Sequence, residues 1–116
     1  GLARAISSLV KSKGDFYQQI VSACTKYPEL VAGDGRLTTR MIQAVLGLFM
    51  KEGAEGVQVC ALRDGRVIAT KIIDGSWRPV APIIKEIFKR WGVEMPDESV
   101  KIYGGASVIG TVIANI

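Results

Sequence analysis

Apolar residues recur every three to four positions over the first part of the chain, a spacing typical of amphipathic helices. The first such run predicts a helix over residues 2–11. A second helix is predicted to begin at Asp15, a favoured capping residue, and to stop at Pro28, because proline cannot continue a helix. Its apolar stripe comprises Phe16, Ile20, Ala23, Cys24 and Tyr27.

A glycine-rich loop over residues 31–36 follows, and Thr38 or Thr39 is predicted to cap a third, short helix that runs through Val45. The loop contains the sequence Gly33-Asp-Gly-Arg36. In front of a helix, its backbone amides can hold an anion, and the Arg36 guanidinium can bind a carboxylate. A plain connecting loop explains the same pattern, so both interpretations stay open.

The hydrophobic period then changes from helical to alternating, which is typical of strands. The alternation predicts strands over residues 48–51, 57–61 and 67–73. A glycine-rich turn over residues 52–56 separates the first two strands, and Asp64-Gly65 is a strong signal for a two-residue hairpin turn between the second and third.

The last third of the chain returns to a helical period before it ends in a hairpin. A long helix is predicted to open at Asp74-Gly-Ser76 and to end at Gly92. Residues 98–103 and 107–114 predict two strands around a turn at Gly104-Gly105. The sum is an α+β fold, in which helices pack on an antiparallel sheet.

Composition narrows the class of protein. Of 116 residues, 48% are hydrophobic, which is too apolar for a disordered chain. The net charge of +4 is spread along the sequence rather than clustered, so we expect no nucleic-acid partner. No apolar run approaches the ~18 residues that a membrane span requires, so no membrane partner is expected either.

The chain has no histidine and two cysteines, Cys24 and Cys60. The absence of histidine excludes histidine-dependent catalytic triads and the usual zinc ligand sets within this chain. We expect both cysteines to be buried thiols rather than a disulfide or a nucleophile.

Lys51-Glu-Gly53 is the sequence with the clearest chemical potential, because it lies where a strand leads into a turn. It resembles the Lys-Thr-Gly element of serine β-lactamases and penicillin-binding proteins. A cation fixed on a rigid strand can stabilise negative charge or relay a proton, and a glycine lets substrate approach the backbone. A surface lysine before a turn explains the same three residues.

Four linked segments together resemble the Rhizobium-type L-asparaginases, the asparaginase II family. Their order and spacing agree with the family pattern across nearly the whole chain, which makes them more specific than any one motif alone. The segments are Gly1-Leu-Ala-Arg-Ala5, Pro28-Glu-Leu-Val-Ala-Gly-Asp-Gly-Arg36, Lys51-Glu-Gly-Ala-Glu-Gly-Val57, and Lys71-Ile-Ile-Asp-Gly75 with Arg78.

The resemblance implies a serine β-lactamase-like α/β architecture and the hydrolysis of L-asparagine to aspartate and ammonia by a serine nucleophile with lysine helpers. It implies that Lys51 is the catalytic strand lysine and that Gly53, Glu55 and Arg36 line or brace the substrate cleft. The resemblance also implies that the family's serine nucleophile and its zinc ligands lie upstream of this chain. Residues 1–116 are therefore expected to form one C-terminal segment of a larger enzyme, inactive alone and without a cofactor of its own.

The expected partners are the N-terminal part of the same enzyme, L-asparagine and further copies in a homo-oligomer, and the expected location is the cytoplasm. Two alternatives stay open. One is a related glutaminase or β-lactamase-like acyl hydrolase. The other is a freestanding α+β interaction module, which would be marked by a Lys51 side chain sealed away from solvent and by the lack of an open sheet edge.

Overall fold

The computed structural model describes residues 1–116 and begins with two helices, α1 (Leu2–Lys11) and α2 (Asp15–Lys26). Both were predicted from the helical spacing. The cap of α2 was predicted wrongly, since Gly14 is its N-cap and Asp15 is already its first helical residue. The predicted apolar stripe of α2 is largely exposed, and Val21 is the buried residue of this helix.

Two short helices, α3 (Pro28–Ala32) and α4 (Leu37–Ala44), replace the single predicted one. Pro28 begins α3 as its first residue, where its missing N–H has no helical partner to lose. The predicted loop is therefore shorter than expected. Arg36 is the N-cap of α4, and the two threonines that were predicted as caps lie inside the helix and are buried.

Three strands form an antiparallel sheet in the order β1 (Phe49–Glu52), β2 (Val57–Ala61) and β3 (Val67–Lys71). The bounds of β2 agree with the prediction, β1 is displaced by one residue, and β3 is two residues shorter. The antiparallel order confirms the α+β class.

Each face of this sheet packs on a different layer of helices. One face contributes side chains such as Met50, Cys60 and Ile68 to the larger core, which α4 and a later helix, α5 (Val80–Trp91), complete. The other face contributes Phe49 and Val59 to a smaller core with α1 and α2. Because side chains alternate along a strand, neighbouring residues of β1 face different layers.

The helix α5 was predicted to open at Asp74-Gly-Ser76, but it begins at Val80 after the N-cap Pro79. The prolines in this stretch fit only at or before a first turn, and the chain takes the later of the possible starts. Gly92 ends α5 in the left-handed conformation, at φ +67°, as predicted.

The chain closes with a separate hairpin of β4 (Lys101–Gly104) and β5 (Ser107–Thr111), both shorter than predicted. Its turn is at Gly105-Ala106, one residue later than predicted, since Gly104 pairs with Ser107. None of its residues is buried. The whole molecule is elongated, with extents of 52 × 28 × 27 Å.

No helix of the structure combines the length and the apolar character that crossing a membrane would require.

Candidate functional site

Lys51 lies on β1, two residues after Phe49, and therefore on the sheet face that packs on α1 and α2. Its partner across the ladder is Val59. Unlike that partner, Lys51 is exposed, and its Nζ donates a hydrogen bond to the carbonyl oxygen of Glu52 at 2.5 Å. The ammonium group is thus exposed and belongs to a strand rather than to a loop.

The helices cover only one end of this sheet face. Beyond Val59, the face continues with Lys51, Val57, Ala69 and Lys71, of which Val57 is half-buried and the other three are exposed. We call these four residues the open sheet face. The Lys51 ammonium is therefore accessible to solvent on this face.

Gly53 and Glu55, the other two site residues predicted next to Lys51, lie in the turn between β1 and β2. The Gly53 N–H donates to the Val57 carbonyl at 2.8 Å, which extends the ladder one residue past β1. Glu55 adopts φ +55°, in the left-handed region, and is exposed. Its carboxylate lies 3.7 Å from the Lys71 ammonium, which also bonds the Glu55 carbonyl. The turn is therefore tied to the open sheet face.

Arg36 is not beside Lys51. Its guanidinium forms an ion pair with the Glu52 carboxylate at 2.9 Å, and Thr38 donates to the other carboxylate oxygen at 3.4 Å. Glu52 follows Lys51 along the strand and faces the opposite layer, where its side chain is 17% exposed. We call Arg36, Thr38 and Glu52 the Glu52 cluster. The sequence pattern predicted Thr38 only as a candidate helix cap and placed Glu52 in the turn after the strand, so neither was predicted as a functional residue.

Polar residues continue from Glu52 across the sheet. Gln58 pairs with Glu52 on one side and Thr70 on the other, so all three side chains share one face. Gln58 is fully buried and donates from Nε2 to the Val59 carbonyl at 3.1 Å. Its side-chain carbonyl and the Thr70 hydroxyl are buried without a hydrogen-bond partner, and this polar row marks the end of the larger core.

A second ion pair joins α4 to the segment before β4. Arg40 donates from Nε to Glu98 at 2.7 Å and from a terminal nitrogen to the other carboxylate oxygen at 2.5 Å. The hydrogen bond with Glu98 raises the pKa of the Arg40 guanidinium, so the arginine stays charged. Arg40 and Arg36 both line a shallow groove beside Trp77, and each is already paired with a carboxylate.

No three side chains of the types that bind metals lie together. Cys60 is buried in the larger core, and Cys24 is partly exposed on α2. Both are free thiols, as predicted, though Cys24 is not fully buried. Burial raises the pKa of the Cys60 thiol to about 12, which keeps it protonated and unsuited to metal binding.

Comparison with known proteins gives one positive result. The family model described as L-asparaginase II matches residues 1–110, which is most of the chain. No curated protein is similar enough to the chain to count as a match.

Proposed function

The chain belongs to the L-asparaginase II family, and from this membership we propose that it is the C-terminal part of an amidohydrolase that converts L-asparagine to L-aspartate and ammonia. The N-terminal part of the same enzyme supplies the serine nucleophile and its lysine. We propose that this chain alone is inactive.

The exposed Lys51 ammonium on the open sheet face is the observation that carries the proposal. In amide hydrolysis, a serine hydroxyl adds to the amide carbon, ammonia leaves, and water cleaves the resulting ester. Negative charge develops on the carbonyl oxygen, and protons pass from the hydroxyl to the leaving nitrogen. A rigidly held cation can stabilise that negative charge or relay the protons, and a strand positions it more precisely than a loop does.

We assign Gly53 and Glu55 to the substrate side of the proposed active-site cleft, because both are exposed and lie in the turn that follows Lys51. Gly53 presents backbone without a side chain, which allows close approach of a small amino acid. The Glu55 carboxylate has the charge that would attract the α-ammonium group of asparagine, once its contact with Lys71 is exchanged.

The N-terminal part of the enzyme is the proposed partner at the open sheet face. From the family resemblance, we assign any zinc of the full enzyme to that part. A serine β-lactamase-like architecture for the full enzyme, a homo-oligomer and a cytoplasmic location stay predictions.

The decisive experiment replaces Lys51 by alanine in the full-length enzyme. Loss of a group that moves protons lowers turnover of asparagine by about a hundredfold or more. Lys101→Ala is the matched control, because Lys101 is also an exposed strand lysine but lies on the separate hairpin. Ammonia release at near-normal rates by Lys51→Ala would remove Lys51 from the mechanism.

A second assay separates the split site from an autonomous one. The chain alone should release no ammonia from asparagine, and addition of the N-terminal part should restore release. Activity of the isolated chain would contradict the proposal. Comparing asparagine with glutamine as substrates of the full enzyme distinguishes an asparaginase from a related glutaminase.

The structure lacks the two features that we expected of a freestanding interaction module. Lys51 is exposed rather than sealed, and the outer edges of both β1 and β3 lack a strand partner. The structure thus favours a cleft component over a closed module.

A further inference from the structure

The Glu52 cluster lies directly behind the proposed catalytic lysine. Lys51 and Glu52 are consecutive residues of β1, so their side chains leave the strand on opposite faces. A rotation of this strand that moves one side chain must move the other. Any contact that fixes Glu52 on its own face therefore also limits where the Lys51 side chain can point.

Glu52 is fixed by two independent groups from the start of α4. Arg36, the N-cap residue, binds one carboxylate oxygen at 2.9 Å, and Thr38, which is fully buried, binds the other at 3.4 Å. The contacts occupy both carboxylate oxygens and join α4 to β1. The Glu52 side chain is only 17% exposed, although that of Arg36 is 53% exposed, so the carboxylate is the more restricted partner of this ion pair.

Glu52 also contacts the Lys51 side chain, through its backbone carbonyl rather than its carboxylate. The Lys51 Nζ donates to the Glu52 carbonyl at 2.5 Å. One residue is thus anchored to α4 by its carboxylate and accepts the ammonium hydrogen bond through its carbonyl. This arrangement gives a direct physical path from Arg36 and Thr38 to the position of the Lys51 amine.

We propose that Arg36, Thr38 and Glu52 are positioning residues that set the direction of Lys51, and that Arg36 acts in this way instead of binding the substrate. The inference rests on the proposed function of Lys51. The Arg36 guanidinium lies on the face opposite the open sheet face and is already paired with a carboxylate.

The test measures kcat and KM for asparagine in the full-length enzyme with Arg36→Met, Glu52→Gln and Thr38→Val. A lysine that is present but misdirected lowers kcat, by about tenfold, and leaves KM within about twofold. Thr38→Ser keeps the hydroxyl and should retain most of the activity lost in Thr38→Val. Glu52→Gln keeps the shape of the side chain, so it tests the idea even if Arg36→Met fails to fold.

Each variant is also made in the Lys51→Ala background. If the cluster acts through Lys51, its loss costs nothing further once the amine is gone, so the effects are not additive. Additive losses would overturn the positioning role. A rise in KM with unchanged kcat in Arg36→Met would make Arg36 a substrate-binding residue and overturn the proposal as well.

The failure of the proposed function has a different signature. If Lys51→Ala alone retains normal turnover, Lys51 is not catalytic, and the positioning role falls with it. If Lys51→Ala loses activity while the cluster variants keep normal kcat and KM, the proposed function stands and only the positioning inference is wrong.

Discussion

At the scale of single residues, the turn between β1 and β2 contains two glycines in very different surroundings. A Cβ atom added at Gly53 would lie 3.4 Å from the Val57 Cβ, and the backbone there is open to any residue. At Gly56, with φ +69°, a Cβ atom would come within 2.9 Å of the Ile72 Cβ and 3.2 Å of the Gly75 backbone. The fold therefore requires glycine at position 56, whereas it tolerates a side chain at position 53.

Gly53→Ala should therefore change the free energy of unfolding by no more than about 1 kcal/mol, because alanine fits the backbone and the space. Gly56→Ala should destabilise the chain by about 2–4 kcal/mol, because it adds left-handed strain to a steric clash. Urea unfolding of both variants checks these values. In the full enzyme, Gly53→Ala should lower asparagine turnover while the fold is kept. Full activity in that variant would remove Gly53 from the substrate side.

Burial of the Cys60 thiol makes stability depend on pH in the alkaline range. The folded chain raises the pKa of Cys60 from 9.0 to about 12. Above pH ~9 the unfolded chain loses the thiol proton while the folded chain keeps it, so stability is fully present below pH ~9 and is lost as the pH rises towards ~12. Urea unfolding at several alkaline pH values should show a smaller decline in Cys60→Ala than in the unmodified chain. Equal declines would mean that the thiol titrates freely.

At the scale of elements, Thr39 of α4 supports the C-terminal end of α3. The Thr39 hydroxyl, buried inside α4, donates to the Gly33 carbonyl at 2.6 Å and lies 3.3 Å from the Pro28 carbonyl. Its single proton satisfies the Gly33 carbonyl at the C-terminal end of α3, where a helix leaves carbonyl groups without an intrahelical partner. A five-residue helix has little stability of its own, so this contact from α4 supports it.

Thr39→Val keeps the shape of the side chain but leaves the Gly33 carbonyl without its donor, which should cost about 1–3 kcal/mol. Thr39→Ser keeps the hydroxyl and loses one methyl group, so it should cost less than Thr39→Val. The order of the two variants in urea unfolding is the measurement. A valine variant as stable as the serine variant would show that water or another group satisfies the Gly33 carbonyl.

Local patterns were enough for α1, for β2 and for the end of α5 at Gly92, because each depends on side chains close together in sequence. The helix α3 was missed because Pro28 was interpreted only as a stop, although proline also favours the first position of a helix. The hydroxyl that supports the end of α3 comes from another helix, 6 residues after Gly33. The periodicity of α2 correctly predicted a helix with an apolar face, but it does not show whether another element packs on that face. Phe16, at 68% exposed, shows that it is not covered here.

At the scale of the whole molecule, the site was predictable in part. The motif placed Lys51 on a strand leading into a turn, and the structure confirms that placement. The separation of Arg36 from Lys51 was not predicted, since the motif pattern gives order and spacing but not which sheet face each residue takes. The pairing of Arg36 with Glu52 joins residues 16 apart and depends on how α4 packs on β1.

The uneven distribution of the core leads to a prediction about the terminal hairpin. Residues 101–116 include no buried side chain, whereas Phe88 of α5 is fully buried in the larger core. Within that stretch Lys101 is the only charged residue, and both strands have an outer edge without a strand partner. The hairpin is therefore expected to add little to the stability of the body, although its exposed apolar surface and free edges favour self-association.

Deletion of residues 101–116 should leave a cooperative unfolding transition, with a loss of no more than about 1–2 kcal/mol, because most stabilisation comes from buried apolar area. The Arg40–Glu98 pair remains in the shortened chain and keeps the segment before β4 on α4. Phe88→Ala, as the matched comparison, should cost about 3–5 kcal/mol. Light scattering at high concentration should show less association after the deletion. If the shortened chain unfolds without cooperativity, the hairpin is part of the folding unit, and the exposed strands support the core in a way that side-chain burial does not reveal.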